Sequence, residues 1–230
     1  MRLVNKIHHK DCIKGMRDIK DNSVAFALVD WPFNCQDKRN DYGRFVNKAL
    51  KQIHRVLMDG GNIASINNPK NGLDTYKYFE QFDDLLFRNE LSIVRSTGLR
   101  PGWMYGFQHN VCHLFAKGTK QGRWNGPKKN HDLSFPTDVI RFVKNGYRKG
   151  TDKHSQALPI SFIKPLVEVL SNEHDIVLDP FMGSGTTAVV CRELNRKFIG
   201  FEINKAYVDM AYRRLDTSFS SVNTILRGFK

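Results

Sequence analysis

Short unbroken apolar runs alternate along this chain with longer stretches in which apolar residues return every three or four positions. "SVAFALVD" (23–30) is one such run, bounded by polar residues, and it suits a strand buried on both faces. In "YGRFVNKALKQIHRVLMDGG" the spacing sets Phe45, Ala49, Ile53, Val56 and Leu57 on one face, predicting a helix that stops at the glycine pair. "NIASIN" (62–67) predicts the next strand, and a helix is expected over about 72–87. "ELSIVRS" and "NVCHLFAK" read as two strands separated by the Gly- and Pro-containing "TGLRPGWMYGFQH", and the two could pair as a hairpin. "PISFIKPLVEVL" has helical spacing, with Pro165 expected to remove one hydrogen bond and kink it. "DIVLD", "TAVVCRELN", "RKFIGFEI" and "KAYVDMAYRRL" then predict strand, helix, strand, helix, and the Ser-rich tail after Leu215 carries no informative pattern.

Strands that alternate with helices imply an open, doubly wound, mostly parallel α/β sheet, whose ligands bind beyond the carboxyl ends of the strands. Asp30 and Asp179 stand at two such ends. A length of 230 residues suits one domain, 1–230, with a continuous core. No apolar run is long enough to cross a bilayer and the N-terminal segment lacks a secretory pattern, so no membrane partner is expected. Cys12, Cys35, Cys112 and Cys191 form no CxxC pair, which predicts free thiols and a cytoplasmic setting. His113 beside Cys112 lacks metal-ligand spacing, and no metal site is expected.

Charge changes the picture. Lys plus Arg at 36 against Asp plus Glu at 23 leaves +13, an imbalance that favours a polyanionic partner, with nucleic acid the leading candidate and a merely basic surface the alternative. The excess is clustered: "KGTKQGRWNGPKK" (117–129) holds five Lys or Arg and no acid, and "RFVKNGYRKGTDK" (141–153) five against one Asp. With Trp124, Phe142 and Tyr147 interleaved, these stretches suit phosphate contacts and base stacking, so the region of about 95–153 is expected to contact DNA.

In "LDPFMGSGTTA", Gly183 and Gly185 follow a strand and open a helix, which allows a tight turn and close approach to a ligand. Glu202 ends the next strand about twenty residues on, where an acid accepts hydrogen bonds from ribose hydroxyls, so the pair indicates an adenosine-containing cofactor. Gly183, Gly185 and Ala188 also satisfy G-x-G-x-x-A, which admits a nicotinamide dehydrogenase, although too little chain follows Leu215 for a second nucleotide half. A P-loop is excluded, since neither Gly-Lys-Ser nor Gly-Lys-Thr occurs. Earlier, "VDWPFN" (29–34) offers an acceptor, Asp30, in a stiff loop with flat faces at Trp31 or Phe33, the parts that hold a heterocycle bearing an amino group. The same residues also read as a turn with a capping Asp and core aromatics.

At these two segments the chain resembles the DNA amino-methyltransferases, which methylate the exocyclic nitrogen of adenine or cytosine with S-adenosylmethionine. "DWPF" resembles their D-P-P-Y catalytic motif and "LDPFMGSGTT" their cofactor motif, while "FIGFEINKAYVDMAYRRL" and "DKHSQALPISFIKPLVEVL" are similar to the segments after and before the latter. "KDCIKGMRDIKDNSVAFALVD" and "KALKQIHRVLMDGGNIASIN" match the family's run-up to the catalytic loop and its continuation. The likeness extends to about Leu215, and the order, catalytic motif first and cofactor motif last, is that of the beta group. It implies a circularly permuted reading of the S-adenosylmethionine-dependent methyltransferase sheet, with its cofactor motif C-terminal.

The resemblance implies that Asp30, Trp31, Pro32 and Phe33 serve catalysis. It puts Asp179, Phe181, Gly183, Gly185, Thr186 and Thr187 on the methionine side of the cofactor, Glu202 on the ribose, and Phe201 and Ile203 against adenine. Asp11 matches an acid near the adenosine end, and His154 and Ser155 match the cofactor-side segment. Trp31 replaces the motif's first Pro, and Ser155 the Pro that usually follows His154. The expected activity is adenine-N6 methylation of DNA at a short recognition sequence in a restriction-modification setting. Cytosine-N4 methylation is the close alternative, RNA amino-methylation a more distant one, and a catalytically weak nucleic-acid-binding protein with the same fold a different class. Members of the group often pair, so a homodimer is a possible partner state.

Overall fold

The structure of the protein, a computed structural model, describes residues 3–32, 39–68, 74–99, 107–118, 122–126, 137–142 and 158–227. Its strands are β1 (Lys6–His9), β2 (Val24–Asp30), β3 (Leu57–Asn67), β4 (Leu85–Leu99), β5 (Phe107–Lys117), β6 (Val139–Phe142), β7 (Ile176–Asp179) and β8 (Lys197–Glu202). Its helices are α1 (Cys12–Met16), α2 (Arg39–Val56), α3 (Ile160–Leu170), α4 (Thr186–Glu193) and α5 (Lys205–Arg227). The strands form one eight-stranded sheet in the order β1-β8-β7-β2-β3-β5-β4-β6. Only β5 runs against its neighbours, β3 and β4; the other adjacent pairs are parallel. This is the expected doubly wound, mostly parallel α/β sheet, and β4 and β5 make the expected hairpin pairing.

The two faces explain why β2 reads as an unbroken apolar run. Phe26 and Leu28 enter the core shared with α3, α4 and α5, whereas Ala27 and Val29 enter the core under α1 and α2. A strand covered on both sides has no solvent-facing position to give to a polar residue. Helix α2 turns Val46, Ala49, Leu50, Ile53 and Val56 to the second core, the i, i+3, i+4 spacing of a single stripe. Helix α3 continues through Pro165 and buries Phe162, Ile163, Leu166, Val167 and Leu170 on the other face.

Three local expectations are corrected. The helix of 39–56 ends before the glycine pair, because Leu57 pairs with Val24 as the start of β3 and Gly60 and Gly61 lie in the irregular stretch before Asn62 pairs with Phe26. The helix expected over 72–87 is a helical turn at 74–76 followed by turns, with β4 starting at Leu85. Amides of Tyr78, Phe79, Phe82 and Leu85 each bond the carbonyl three residues back, and Phe79 stacks flat on Phe115 with centroids 4.0 Å apart. A stacked pair contributes on the order of 1 kcal/mol beyond burial, enough to override a weak helical preference in a short segment. The Ser-rich tail, read as uninformative, continues α5 to Arg227.

Of the basic stretch 117–129, residues 117–118 and 122–126 are described. Among its described residues, Trp124 packs on the first core with the Arg88 guanidinium 5.7 Å from its ring centroid. Arg123 pairs with Asp175 at 3.4 Å, and the Asn125 amide bonds the Val169 carbonyl at 2.8 Å. These contacts lie at the amino ends of β3 and β7, the end of the sheet away from Asp30, so Trp124 and Arg123 hold the domain together there. Most of the remaining region of 95–153, including Tyr147, lies outside the described residues.

Helix α5 crosses directly behind the glycine turn. Gly185 has φ +83°, and a Cβ there would come within 2.6 Å of the Ala211 Cβ. Gly185→Ala is expected to cost about 3 kcal/mol, from a left-handed backbone and overpacking together, and urea unfolding monitored by circular dichroism measures it.

Candidate active site

The sheet reverses its winding between β7 and β2: β7 leads through α4 to β8 on one side, and β2 leads through α2 to β3 on the other. A crevice opens where the connections from adjacent strands diverge, at their carboxyl ends. Register aligns Ala27 with Leu178, which puts Leu28 level with Asp179 and Asp30 two residues further out. The two segments singled out in the sequence, far apart along the chain, therefore flank one crevice.

Asp179 shapes the glycine turn. It is 5% exposed; its Oδ1 accepts the Phe181 amide at 2.9 Å and its Oδ2 accepts the Thr187 hydroxyl at 2.6 Å. Burial raises its pKa from the usual 3.8 to about 6, against the lowering effect of those two hydrogen bonds, and the nearby Glu202 carboxylate adds to the rise. Gly183 takes φ +52°, and a Cβ there would meet nothing nearer than the Phe181 carbonyl at 3.8 Å, so this side of the turn is open. The two glycines therefore serve different ends, since Gly183 faces free space and Gly185 admits α5.

Glu202, at the end of β8, closes the other side. Its Oε2 accepts the Gly183 amide at 2.9 Å and its Oε1 accepts the Asn204 amide at 2.7 Å. Next to it, β1 pairs His9 with Glu202 and the Lys10 amide bonds the Glu202 carbonyl at 3.1 Å. Asp11 then caps α1 by accepting the Lys14 amide at 2.9 Å.

Other sequence-picked residues are placed differently. Thr186 and Thr187 are 6% and 3% exposed, their hydroxyls spent on Arg214 and Asp179, so they hold the turn and leave its open side to the main chain. Phe201 is fully buried under α1, where a Cβ on Gly15 would strike its ring at 2.2 Å, whereas Ile203 is 72% exposed. Trp31 is 2% exposed, so its ring belongs to the core and offers no free face to a base. Phe181 touches Trp31 and Phe45 with centroids 5.6 and 5.8 Å away. Phe33, His154 and Ser155 lie outside the described residues.

Sequence reasoning missed Arg214. Its Nη1 donates to the Ser184 carbonyl and hydroxyl, both at 2.8 Å, and to the Thr186 hydroxyl at 3.1 Å, and burial lowers its pKa. Its spacing of three from Ala211 on one helical face was the available signal. Burial, then the Asp30 carboxylate, pushes the Cys112 thiol far up, and burial does the same to Cys191. Neither is a thiolate near neutral pH, so neither is poised as a nucleophile. Among the described residues no group of three or more His, Cys, Asp or Glu is arranged to hold a metal ion, and no helix is long and apolar enough to cross a membrane.

Residues 18–213 match the N6/N4 methyltransferase family described as DNA methylase, and the chain belongs to it. It is 30% identical over 236 residues to the type II methyltransferase M.HpaI of Haemophilus parainfluenzae, covering 94% of this chain and 75% of that one. The fold resembles the M1.HpyAVI–SAM complex (TM-score 0.70, 21% identity, 91% of this chain and 98% of that one). It also resembles the cytosine-N4-specific PvuII DNA methyltransferase (TM-score 0.78, 16% identity, 96% and 92%). The protein is therefore a beta-group DNA amino-methyltransferase that uses S-adenosylmethionine. The residues fit that cofactor: the open side of Gly183 adjoins Glu202, a carboxylate with lone pairs left for hydroxyls, and exposed Ile203 follows it.

A carboxyl whose pKa is raised on folding favours the fold below its unfolded value, and that benefit is lost as pH rises through the folded value. For Asp179 the window is pH 3.8 to about 6. Asp179→Asn keeps an acceptor for Phe181 and offers an amide to Thr187 Oγ1, so its stability relative to wild type should improve by up to about 3 kcal/mol across that window. Thermal melts of the cofactor-free proteins at pH 4, 5, 6 and 7 measure this, and a pH-independent difference would contradict it.

Proposed function

We propose that this enzyme transfers the methyl group of S-adenosylmethionine to the N6 amino group of adenine in DNA, within a short recognition sequence. The observation that carries the reading is Asp30, a carboxylate at the end of β2 beside the glycine turn, in the crevice of a DNA methylase. Asp rather than Ser at the head of the catalytic motif supports adenine by association with the family.

An exocyclic amine is a poor nucleophile because its lone pair is delocalised into the ring, so orientation and charge placement supply most of the catalysis. The cofactor contributes a methyl group made electrophilic by its sulfonium. Asp30 and the main-chain carbonyl of Trp31 or Pro32 accept hydrogen bonds from the amino hydrogens, which raises electron density on nitrogen and holds it in line. Phe33 stacks on the base. Glu202 receives the ribose hydroxyls, the main chain around Gly183 faces the methionine portion, and Ile203 lies against adenine. His154, Ser155 and Asp11 complete the cofactor side. The amine cannot be reached inside a duplex, so the base is extruded, with basic residues holding the flanking phosphates. Strand β6 runs toward the crevice end of the sheet, which supports assigning those contacts to the basic stretch that follows it.

Incubation of unmethylated genomic DNA with labelled cofactor, followed by nucleoside analysis, is expected to yield N6-methyladenine. N4-methylcytosine would keep the mechanism and reverse the substrate. Asp30→Ala is expected to lower transfer at least about a thousandfold with cofactor affinity in calorimetry nearly unchanged. Loss of cofactor binding would remove Asp30 from the role given to it.

A further inference from the structure

Trp31 follows Asp30 directly, yet its side chain is tied down inside the protein. The indole Nε1 donates to the Ser65 hydroxyl oxygen on β3 at 2.9 Å, and the Trp31 amide reaches the Ile66 carbonyl at 3.4 Å. The Ser65 oxygen also accepts the Asn67 side-chain amide at 3.3 Å, and the Asn67 Oδ1 accepts the Thr75 hydroxyl at 3.2 Å. Ser65, Asn67 and Thr75 are 0%, 3% and 1% exposed. On its other side the indole meets the Phe181 ring, tilted by 47°, where the cofactor turn begins.

We propose that Trp31 is a positioning residue that locks the end of β2, with Asp30, to β3 and to the cofactor turn in one relative geometry. A donor this deeply buried loses its partner, and has no water to replace it, if the loop shifts. Trp31 therefore has one position in which Ser65 is reached and Phe181 is packed. The polar chain through Asn67 and Thr75 fixes the acceptor in turn. The kinetic consequence rests on the role given to Asp30 above; the geometric claim does not.

Trp31→Phe keeps a ring against Phe181 and removes the donor, and Ser65→Ala removes the acceptor with little change of volume. Both singles and the double variant would be compared with wild type by amide hydrogen exchange over residues 28–31. Transfer kinetics would be taken at a temperature where circular dichroism shows every variant folded. The expected result is roughly tenfold faster exchange and a roughly tenfold lower kcat in each single variant, a KM for S-adenosylmethionine within about twofold of wild type, and a double variant no worse than Trp31→Phe. Unchanged exchange and kcat with only a lower melting temperature would overturn the proposal and leave the indole as packing, as would independent effects that multiply in the double variant. If wild type transfers no methyl to DNA, the functional reading fails, while the exchange rates still decide the role of Trp31. Should Trp31→Phe not fold, Ser65→Ala carries the test.

Discussion

The crevice depends on one buried carboxylate. Asp179 ends β7 with both oxygens committed, one to the Phe181 amide and one to the Thr187 hydroxyl. Those two bonds set the course of the chain between strand and helix. From them follow the open face of Gly183, the reach of Glu202 to the Gly183 amide, and the placing of the Phe181 ring against Trp31. Burial makes this carboxylate costly to ionise, as its raised pKa records, so the turn's shape is maintained against an electrostatic penalty that two hydrogen bonds partly offset.

A turn held from one side only would yield when a ligand arrived. Here it is held from three. Ala211 and Arg214 of α5 press from behind, Glu202 of β8 holds it at the Gly183 amide, and Phe181 leans on Trp31 and Phe45. A turn held in this way is preorganised, as a reaction governed by placement requires.

Composition conceals what Arg123 and Trp124 do. Two clusters of similar make-up look equivalent along the chain, but Arg123 and Trp124 of the first are spent on Asp175 and Arg88 at the far end of the sheet. Lys and Arg serve an internal pairing and a phosphate contact with the same chemistry, so residue type alone does not distinguish them.

The sequence by itself determined the sheet type, the strands at 24–30, 176–179 and 197–202, the glycine turn and its acidic partner, and the alignment of Asp30 and Asp179 with strand ends. These are short-range features: burial on two faces, turn conformation and spacing are written in neighbouring residues. The tertiary structure decided that the 74–85 segment makes turns stacked on Phe115, that Thr186, Thr187 and Phe201 face inward, that α5 supports the turn through Arg214, and that Trp31 is an anchor rather than an open face. Each of these depends on a partner distant along the chain, and a pattern read residue by residue contains no distance between such partners.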